Sequence, residues 1–239
     1  MNLSDDSGAG RDPTALRDAA TVMVVRRGPA GPSVLMGMRG TNAAFMPSKF
    51  VFPGGAVDPE DAADMPLSGQ IEPHTLDRLM IDLRPESTVT AKQIVVAALR
   101  ELAEETGLLI AGPGQGTMVG YADQGVMPDL SHLHFVFRAI TPPGRPRRFD
   151  ARFFLVDAAH VHGDPDDFSK ACDELSNLHW VPMAEARRLA LPFITEVVLA
   201  ECAAMVTAAG DGPFRAPASV PFFDNREARS RFVQIGADP

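Results

Sequence analysis

Some segments of the chain have the apolar pattern of a strand and others have that of a helix. The pattern therefore predicts a mixture of strands and helices. Nearly continuous apolar runs at residues 19–27 and 33–39 flank a turn rich in Gly and Pro, which predicts a β-hairpin. A second hairpin is predicted from apolar runs at residues 133–140 and 149–156, because a Thr-Pro-Pro-Gly turn lies between them. Strands and helices that follow one another in this way indicate an α/β architecture.

The helical period is clearest in the residues that lead to Gly107. Val95, Leu99 and Leu102 fall on one stripe of a helix with 3.6 residues per turn. Thr88 and Thr90 are candidate N-caps, and Gly107 is suited to the left-handed turn that ends a helix. Other segments with a helical or strand pattern follow the same rules: helices at 74–83, 183–189 and 192–209, and a last strand at 173–182.

Composition is typical of a globular domain, with 45% hydrophobic and 22% charged residues in 239. We expect a flexible N-terminal segment at 1–18, one domain at 19–209 with an insertion at about 59–89, and a C-terminal extension at 210–239. The extension is rich in aromatic residues, and we expect it to pack on another surface, such as a second subunit.

Charge and cysteine content narrow the class of partner. A net charge of −9 argues against a nucleic-acid polymer, because proteins that bind one carry a basic footprint. The sequence has no apolar stretch long enough to cross a bilayer and no secretory signal pattern, so we expect no membrane partner. Two cysteines are too few for a disulfide framework, which agrees with a cytoplasmic location.

Three acidic residues near the end of the predicted helix violate the usual rules of helix stability. Glu101, Glu104 and Glu105 share one face at spacings of i, i+3 and i+4, where like charges repel by roughly 3 kcal/mol per pair. Two of them also lie in the last turn, where the helix dipole disfavours anions. A solvated acidic face would explain the pattern, but a hard divalent cation would turn this repulsion into attraction.

The residues around these acids distinguish the two interpretations. Arg100-Glu101-Leu102-Ala103-Glu104-Glu105-Thr106-Gly107-Leu108 resembles the second half of the Nudix box, and Phe52-Pro53-Gly54-Gly55 resembles the glycine loop that opens it. The two halves lie unusually far apart, since Glu101 follows Gly55 by 46 residues (101 − 55). The family's intervening glutamate falls on Asp61, with Glu60 beside it. A split box of this kind is similar to the branch that includes peroxisomal coenzyme A diphosphatases.

The resemblance implies a Nudix fold, in which a mixed β-sheet is sandwiched between helices (α/β/α), with a helical insertion inside the box. It also implies that Mg²⁺ or Mn²⁺ is held by Glu101, Glu104, Glu105 and the carbonyl of Gly54. Arg100 would orient the carboxylates, with a contact to Glu104 at i+4 as one route. Glu104, Glu105 or Glu174 would act as the general base.

Basic residues outside the box are candidates for phosphate binding. Arg39, at the end of a strand, is either a surface cation or a phosphate contact. Arginines also cluster between residues 145 and 152, either as a solvated hairpin tip or as a phosphate-reading patch. A similar segment recurs in the family branch, which favours Arg148 or Arg152 as a substrate contact.

The resemblance predicts a metal-dependent hydrolase for a nucleoside diphosphate linked to another moiety, with coenzyme A or acyl-coenzyme A as candidates. The partner would be a small diphosphate, and family habit suggests a homodimer. ADP-ribose and nucleoside diphosphate sugars are alternative substrates. The alternative from another class is a Nudix-fold regulatory protein that senses a nucleotide without cleaving it, although the intact acidic half of the box argues against this.

Overall fold

The computed structural model describes residues 12, 14–41, 43, 45–61, 64–227 and 229–236. The helices that it contains are α1 (Pro73–Leu79), α2 (Ala91–Thr106), α3 (Met183–Ala186) and α4 (Phe193–Ala209). Its strands are β1 (Leu16–Arg26), β2 (Ser33–Arg39), β3 (Phe50–Val51), β4 (Gly54–Ala56), β5 (Leu109–Pro113), β6 (Val126–Pro128), β7 (His134–Ile140), β8 (Arg148–Asp157), β9 (Val161–His162), β10 (Leu175–Pro182), β11 (Val220–Asp224) and β12 (Arg231–Ile235).

One large mixed sheet dominates the described part of the chain. Its strand order is β10-β2-β1-β8-β7-β11-β12, with β3 added to β2 and β4 added to β1. The β1–β8 and β7–β11 pairs are parallel, whereas the two predicted hairpins, β1–β2 and β7–β8, are antiparallel as expected. A smaller sheet, β6-β5-β9, lies beside it.

Helices cover both faces of the large sheet. The apolar side of α2 packs with Ala20, Val22 and Val24 of β1 in one buried cluster. The alternate β1 residues Met23 and Val25 point to the opposite face, into the cluster that includes α4. The alternation follows from the two-residue period of a strand. The predicted α/β/α sandwich is therefore confirmed.

The insertion and the C-terminal extension both contribute to this fold. Helix α1, shorter than predicted, buries Leu79 in the same cluster as α2. Strand β11 pairs with β7, so the extension continues the chain's own sheet instead of forming a separate unit. Phe222 is buried, and Phe232 lies against Phe137 and Phe223. The extension's aromatic residues thus find much of their expected packing surface within the chain.

The N-terminal segment predicted at 1–18 falls mostly on residues 1–11 and 13, which lie outside the described residues. Residues 16–18, however, already belong to β1, so the sheet begins earlier than the sequence pattern predicted. In the part of the chain that the structure describes, no helix is both long enough and apolar enough to span a membrane.

Candidate functional site

Helix α2 carries the predicted acidic residues, and both of its ends are capped as expected. At the start, the Thr90 hydroxyl accepts a hydrogen bond from the Gln93 amide (3.2 Å), and the Gln93 side chain accepts one from the Thr90 amide (3.0 Å). At the end, Gly107 adopts a left-handed conformation (φ 76°) and donates to the Ala103 carbonyl. A capping box and a glycine cap fix where the helix begins and ends. They therefore also fix which way the last-turn glutamates point.

Glu105 lies on the buried side of α2, with only 1% of its surface exposed. Its Oε2 atom accepts a hydrogen bond from the Gly54 amide at 2.7 Å. Its Oε1 atom is buried and has no hydrogen-bond partner among the described residues. Burial, followed by repulsion from Glu101, raises the pKa of Glu105 well above its usual range, although the Gly54 hydrogen bond opposes this shift. This carboxylate therefore has a lone pair available and too little positive charge around it.

The glycine loop leaves room for these carboxylates. A Cβ atom on Gly55 would lie 2.3 Å from Oε1 of Glu101, and one on Gly54 would lie 2.5 Å from the carbonyl oxygen of Ala20. Both distances are shorter than any real contact of this kind, so larger residues would displace either the carboxylate or the backbone. Glycine at these positions brings the backbone of β4 against the acidic face of α2.

Glu101 is the second buried carboxylate of the site. Burial raises its pKa to about 7, and repulsion from Glu104 and Glu174 adds to the effect of burial. Its contact with Arg100 (2.8 Å) opposes the shift without cancelling it. Glu101 and Glu105 are therefore held together in a place that disfavours their negative charges.

Glu104 differs from the other two acids because it lies at the rim of the site, with 45% of its side chain exposed. Its Oε2 atom lies 3.2 Å from Nη1 of Arg100, which is the i+4 contact that the sequence suggested. The main partner of Arg100 is different. Its guanidinium binds both carboxylate oxygens of the buried Asp61, at 2.8 and 3.0 Å, and also donates to the Ala56 carbonyl at 3.0 Å.

Asp61 thus joins the two halves of the box through Arg100. Its Oδ2 atom also accepts a hydrogen bond from the Asp58 amide, so the carboxylate stabilises the loop that follows β4. Sequence reasoning identified this position only as the match to the family's intervening glutamate and gave it no partner. Burial and these contacts give Asp61 a structural role. Burial alone would lower the pKa of Arg100, but the hydrogen bond with Asp61 and the charges of Glu101, Asp61 and Glu104 raise it.

Arg39 and Glu174 complete the acidic end of the site. The Nη2 atom of Arg39 and Oε1 of Glu174 are 2.6 Å apart, and both residues line the same cleft as Glu101 and Gly54. The charge of Glu174 contributes to the raised pKa values of Glu101 and Glu105, which places it within electrostatic range of both. The structure therefore brings Glu174 and Arg39, two residues far apart in sequence, to the predicted site.

The cleft has a volume of about 1120 Å³ and runs from this acidic end across the sheet towards the β7–β8 turn. Its middle is apolar, and its far end is basic. Residues of the apolar part include Ala139, Phe149, Ala151, Phe153 and Phe223. The basic residues at the far end are Arg17, Arg145 and Arg147.

Arg148 and Arg152, the predicted phosphate contacts, do not line this cleft. Arg152 is completely buried and binds Asp18 (2.6 Å) and the backbone of Asp150. Arg148 donates to the carbonyls of Thr141 and Asn225. Side chains alternate between the faces of a strand, and in β8 it is Phe149, Ala151 and Phe153 that face the cleft. This placement argues against a substrate contact by either arginine.

The acidic end has some of the features of a divalent-cation site. In the described residues, no group of three or more His, Cys, Asp or Glu side chains is already arranged to hold a metal ion. Two observations nevertheless fit one. Glu105 has a buried oxygen without a partner, and Gly55 leaves a space beside Glu101 that any Cβ would fill. Hard cations such as Mg²⁺ and Mn²⁺ take carboxylate and carbonyl oxygens as ligands, which is the donor set found here.

Comparison with known proteins shows what the whole chain is similar to in sequence and in fold. No family model matches the chain. The chain is 28% identical over 193 residues to a Caenorhabditis elegans protein named "Putative nudix hydrolase 7", over 74% of this chain and 55% of that protein. The fold is similar to the crystal structure of a NUDIX hydrolase from Alicyclobacillus acidocaldarius, with a TM-score of 0.56 and 29% identity, covering 78% of this chain and 90% of the other.

The chain spans about half the length of this curated relative. Its mixed α/β fold matches that of the Nudix hydrolase structure over most of both chains. The chain is thus similar to Nudix hydrolases in sequence and in fold, and it carries the glycine loop and the acidic helix end described above.

Proposed function

We propose that the chain is a divalent-metal-dependent hydrolase that cleaves the diphosphate bond between a nucleoside and another moiety. One observation carries the proposal. Glu101 and Glu105 are held against the glycine loop with raised pKa values, and one buried oxygen of Glu105 has no partner among the described residues. Pairs of acids in such surroundings are more typical of functional sites than of structural ones.

Glu101, Glu105, Glu104 and the carbonyl of Gly54 would hold Mg²⁺ or Mn²⁺. When bound, the ion supplies positive charge that neutralises diphosphate oxygens and makes a nearby water more acidic. Glu104 would have to leave Arg100 in order to take part. Arg100 can release it without moving, because Asp61 and the Ala56 carbonyl hold the same guanidinium from the other side.

Glu174 is our preferred general base among the three candidates. Its side chain is 52% exposed and lines the cleft, so it can accept a proton from a water molecule that approaches the substrate. Arg39 holds Glu174 in place through their 2.6 Å contact, and its guanidinium could also bind a phosphate oxygen. Glu104 and Glu105 remain the alternatives if their oxygens are not all used for the metal.

The size and character of the cleft favour a long substrate. Its volume of about 1120 Å³ slightly exceeds the roughly 300–1,000 Å³ typical of small-molecule sites. The apolar middle suits a flat base or an aliphatic chain. Coenzyme A and acyl-coenzyme A, which carry both, are our first candidates, and they would be cut to phosphopantetheine products and adenosine 3′,5′-bisphosphate. ADP-ribose and nucleoside diphosphate sugars are the alternatives.

A substrate panel tests the proposed function. Coenzyme A, an acyl-coenzyme A, ADP-ribose and a nucleoside diphosphate sugar would each be incubated with the protein in Mg²⁺ or Mn²⁺, and products identified by mass. We expect two phosphate monoesters from at least one compound and no product in EDTA. Tight binding of a panel member without any cleavage would instead favour the nucleotide-sensing function.

The homodimer remains a prediction as well. Strand β12 is at the edge of the large sheet and exposes Phe232 and Val233, which would suit a contact with a second copy. Light scattering during size-exclusion chromatography would report the mass in solution.

A further inference from the structure

The end of the cleft at the β7–β8 turn carries a second concentration of positive charge. It is formed by three arginines, Arg17, Arg145 and Arg147. Arg17 belongs to β1 and is in register with Phe149 of the neighbouring β8, while the other two lie in the turn that leads into β8. Two elements that are distant in sequence thus place three guanidinium groups around one end of one cleft.

These arginines have no hydrogen-bond or ion-pair partner within the part of the chain that the structure describes. Arg100 and Arg39, at the opposite end, are instead each bound to a carboxylate. Like charges that share a region repel one another, and none of these three guanidinium groups forms an ion pair with a described residue of the cleft. The chain has a net charge of −9, so a group of unpaired arginines that all line one cleft is unusual in it. Such a group is more consistent with a ligand-binding site than with an ordinary solvent-exposed surface.

Guanidinium groups favour one chemical class of ligand. A planar fork of N–H donors matches the oxygens of a phosphate, and several forks together suit a phosphate monoester, which carries about −1.5 to −2 charges at neutral pH. The apolar residues between the two ends, including Phe149 and Phe153, leave a stretch that an uncharged part of the ligand would cover.

We propose that Arg17, Arg145 and Arg147 form a subsite for a phosphate monoester of the substrate, separate from the diphosphate that is cleaved. This inference rests on the proposed function, because it takes the acidic end as the place where the diphosphate binds. It deepens that function by predicting a substrate with two anionic groups at opposite ends of an uncharged segment. The enzyme would then discriminate by the presence of one phosphate that takes no part in the reaction.

Matched pairs of compounds test this subsite. Coenzyme A and 3′-dephospho-coenzyme A differ by one phosphate monoester, and so do 2′-phospho-ADP-ribose and ADP-ribose. Binding of all four would be measured by calorimetry in EDTA, and kcat/KM in Mg²⁺. The proteins compared are the wild type, the double variant Arg17→Gln/Arg147→Gln, and the control Arg187→Gln, which changes an exposed arginine that does not line the cleft.

We expect the wild type to bind the phosphorylated member of at least one pair about tenfold or more tightly than its partner, as a charge-assisted contact predicts. The double variant should lose most of this preference, and Arg187→Gln should keep it. Equal binding within both pairs, binding of none of the four compounds, or a preference that survives in the double variant would overturn the subsite.

The two readouts separate this proposal from the proposed function. Cleavage at equal rates and affinities within both pairs would contradict the subsite while supporting the hydrolase. A phosphate-dependent affinity that the double variant loses, without any cleavage in Mg²⁺ or Mn²⁺, would support the subsite and contradict the hydrolase.

Discussion

The side chain of Glu105 and the backbone amide of Gly54 are joined by a 2.7 Å hydrogen bond across 51 positions of sequence. This bond connects the last turn of α2 to the glycine loop, so it unites the two halves of a motif that the insertion at about 59–89 separates. No described residue of that insertion lines the cleft. The insertion therefore lengthens the chain between the two halves, and the glycine loop and the end of α2 are still in direct contact.

The Glu105→Gln variant should lose activity and gain stability. We expect hydrolysis to fall by at least about 10²-fold, the scale seen when one charge-stabilising group is removed from an active site. Metal-free protein at pH 8 should melt at least about 2 °C higher. The raised pKa of Glu105 means that the fold disfavours the ionised form that the unfolded chain carries at this pH, and glutamine has no such cost. Kinetic assays and thermal melts in EDTA measure the two effects.

Glu86→Gln provides the control, since this glutamate is largely exposed and lies outside the cleft. Added Mg²⁺ should raise the melting temperature of the wild type and of this control, and should raise that of Glu105→Gln much less. A Glu105→Gln variant that is fully active, or that is as strongly stabilised by Mg²⁺ as the wild type, would remove Glu105 from the metal site.

The Gly55→Ala variant should misplace Glu101. A Cβ atom there would lie 2.3 Å from Oε1 of Glu101, so the carboxylate has to move by more than a few tenths of an ångström. We expect a loss of about 10²-fold in kcat/KM, as a displacement of this size causes in a positioned active site. Gly28→Ala is the matched control, because no atom lies within 4 Å of the added methyl group. Similar kinetics for the two variants would show that the close approach is not needed.

The Asp61→Asn variant should destabilise the fold. It breaks a buried two-point contact with Arg100 and leaves that guanidinium without its main partner, at a cost of roughly 3–5 kcal/mol. Denaturant titration would measure the loss. The neighbouring Glu60→Gln variant changes an exposed side chain and should be close to neutral. Equal stability of the two variants would contradict the linking role assigned to Asp61.

A group of histidines that do not line the cleft should make stability fall in mild acid. Burial, followed by the charge of His132, lowers the pKa of both His134 and His160, and the rings of His132 and His160 are stacked 3.4 Å apart. The unfolded chain therefore binds more protons than the folded protein once the pH drops below about 6.5. The free energy of unfolding should decrease between pH 7 and pH 5 through these two groups.

Replacing His132 isolates this contribution from that of the carboxylates, which titrate in both proteins. His132→Gln should show a smaller decrease in unfolding free energy between pH 7 and pH 5 than the wild type. His74→Gln, which changes an exposed histidine, should follow the wild type. An unchanged pH dependence in His132→Gln would contradict the assigned cause.

Features that depend on local chemistry were predictable from the sequence. The caps of α2 at Thr90 and Gly107 follow from the preferences of single residues, and the structure has both. The contact between Arg100 and Glu104 follows from helical spacing alone. The order of strands in a sheet is not a local property. The sandwich of helices around a mixed sheet was therefore predicted from the resemblance to the Nudix box.

Features that depend on distant pairing were missed. The face on which Arg152 lies is set by the register of β8 against β1, and a shift of one residue would have exchanged it with Ala151. The addition of β11 to β7 requires the parallel pairing of segments that lie 84 positions apart (222 − 138). The bond between Asp61 and Arg100 spans 39 positions, and only the position of Asp61 in the box hinted at it.

Anomalous diffraction from a crystal grown with Mn²⁺ would test the central claim most directly. We predict a peak within about 2–2.5 Å of carboxylate oxygens from both Glu101 and Glu105, close to the Gly54 carbonyl, as expected for oxygen ligands of a hard cation. A crystal that holds Mn²⁺ elsewhere, while these carboxylates contact only Arg100 and the Gly54 amide, would contradict it.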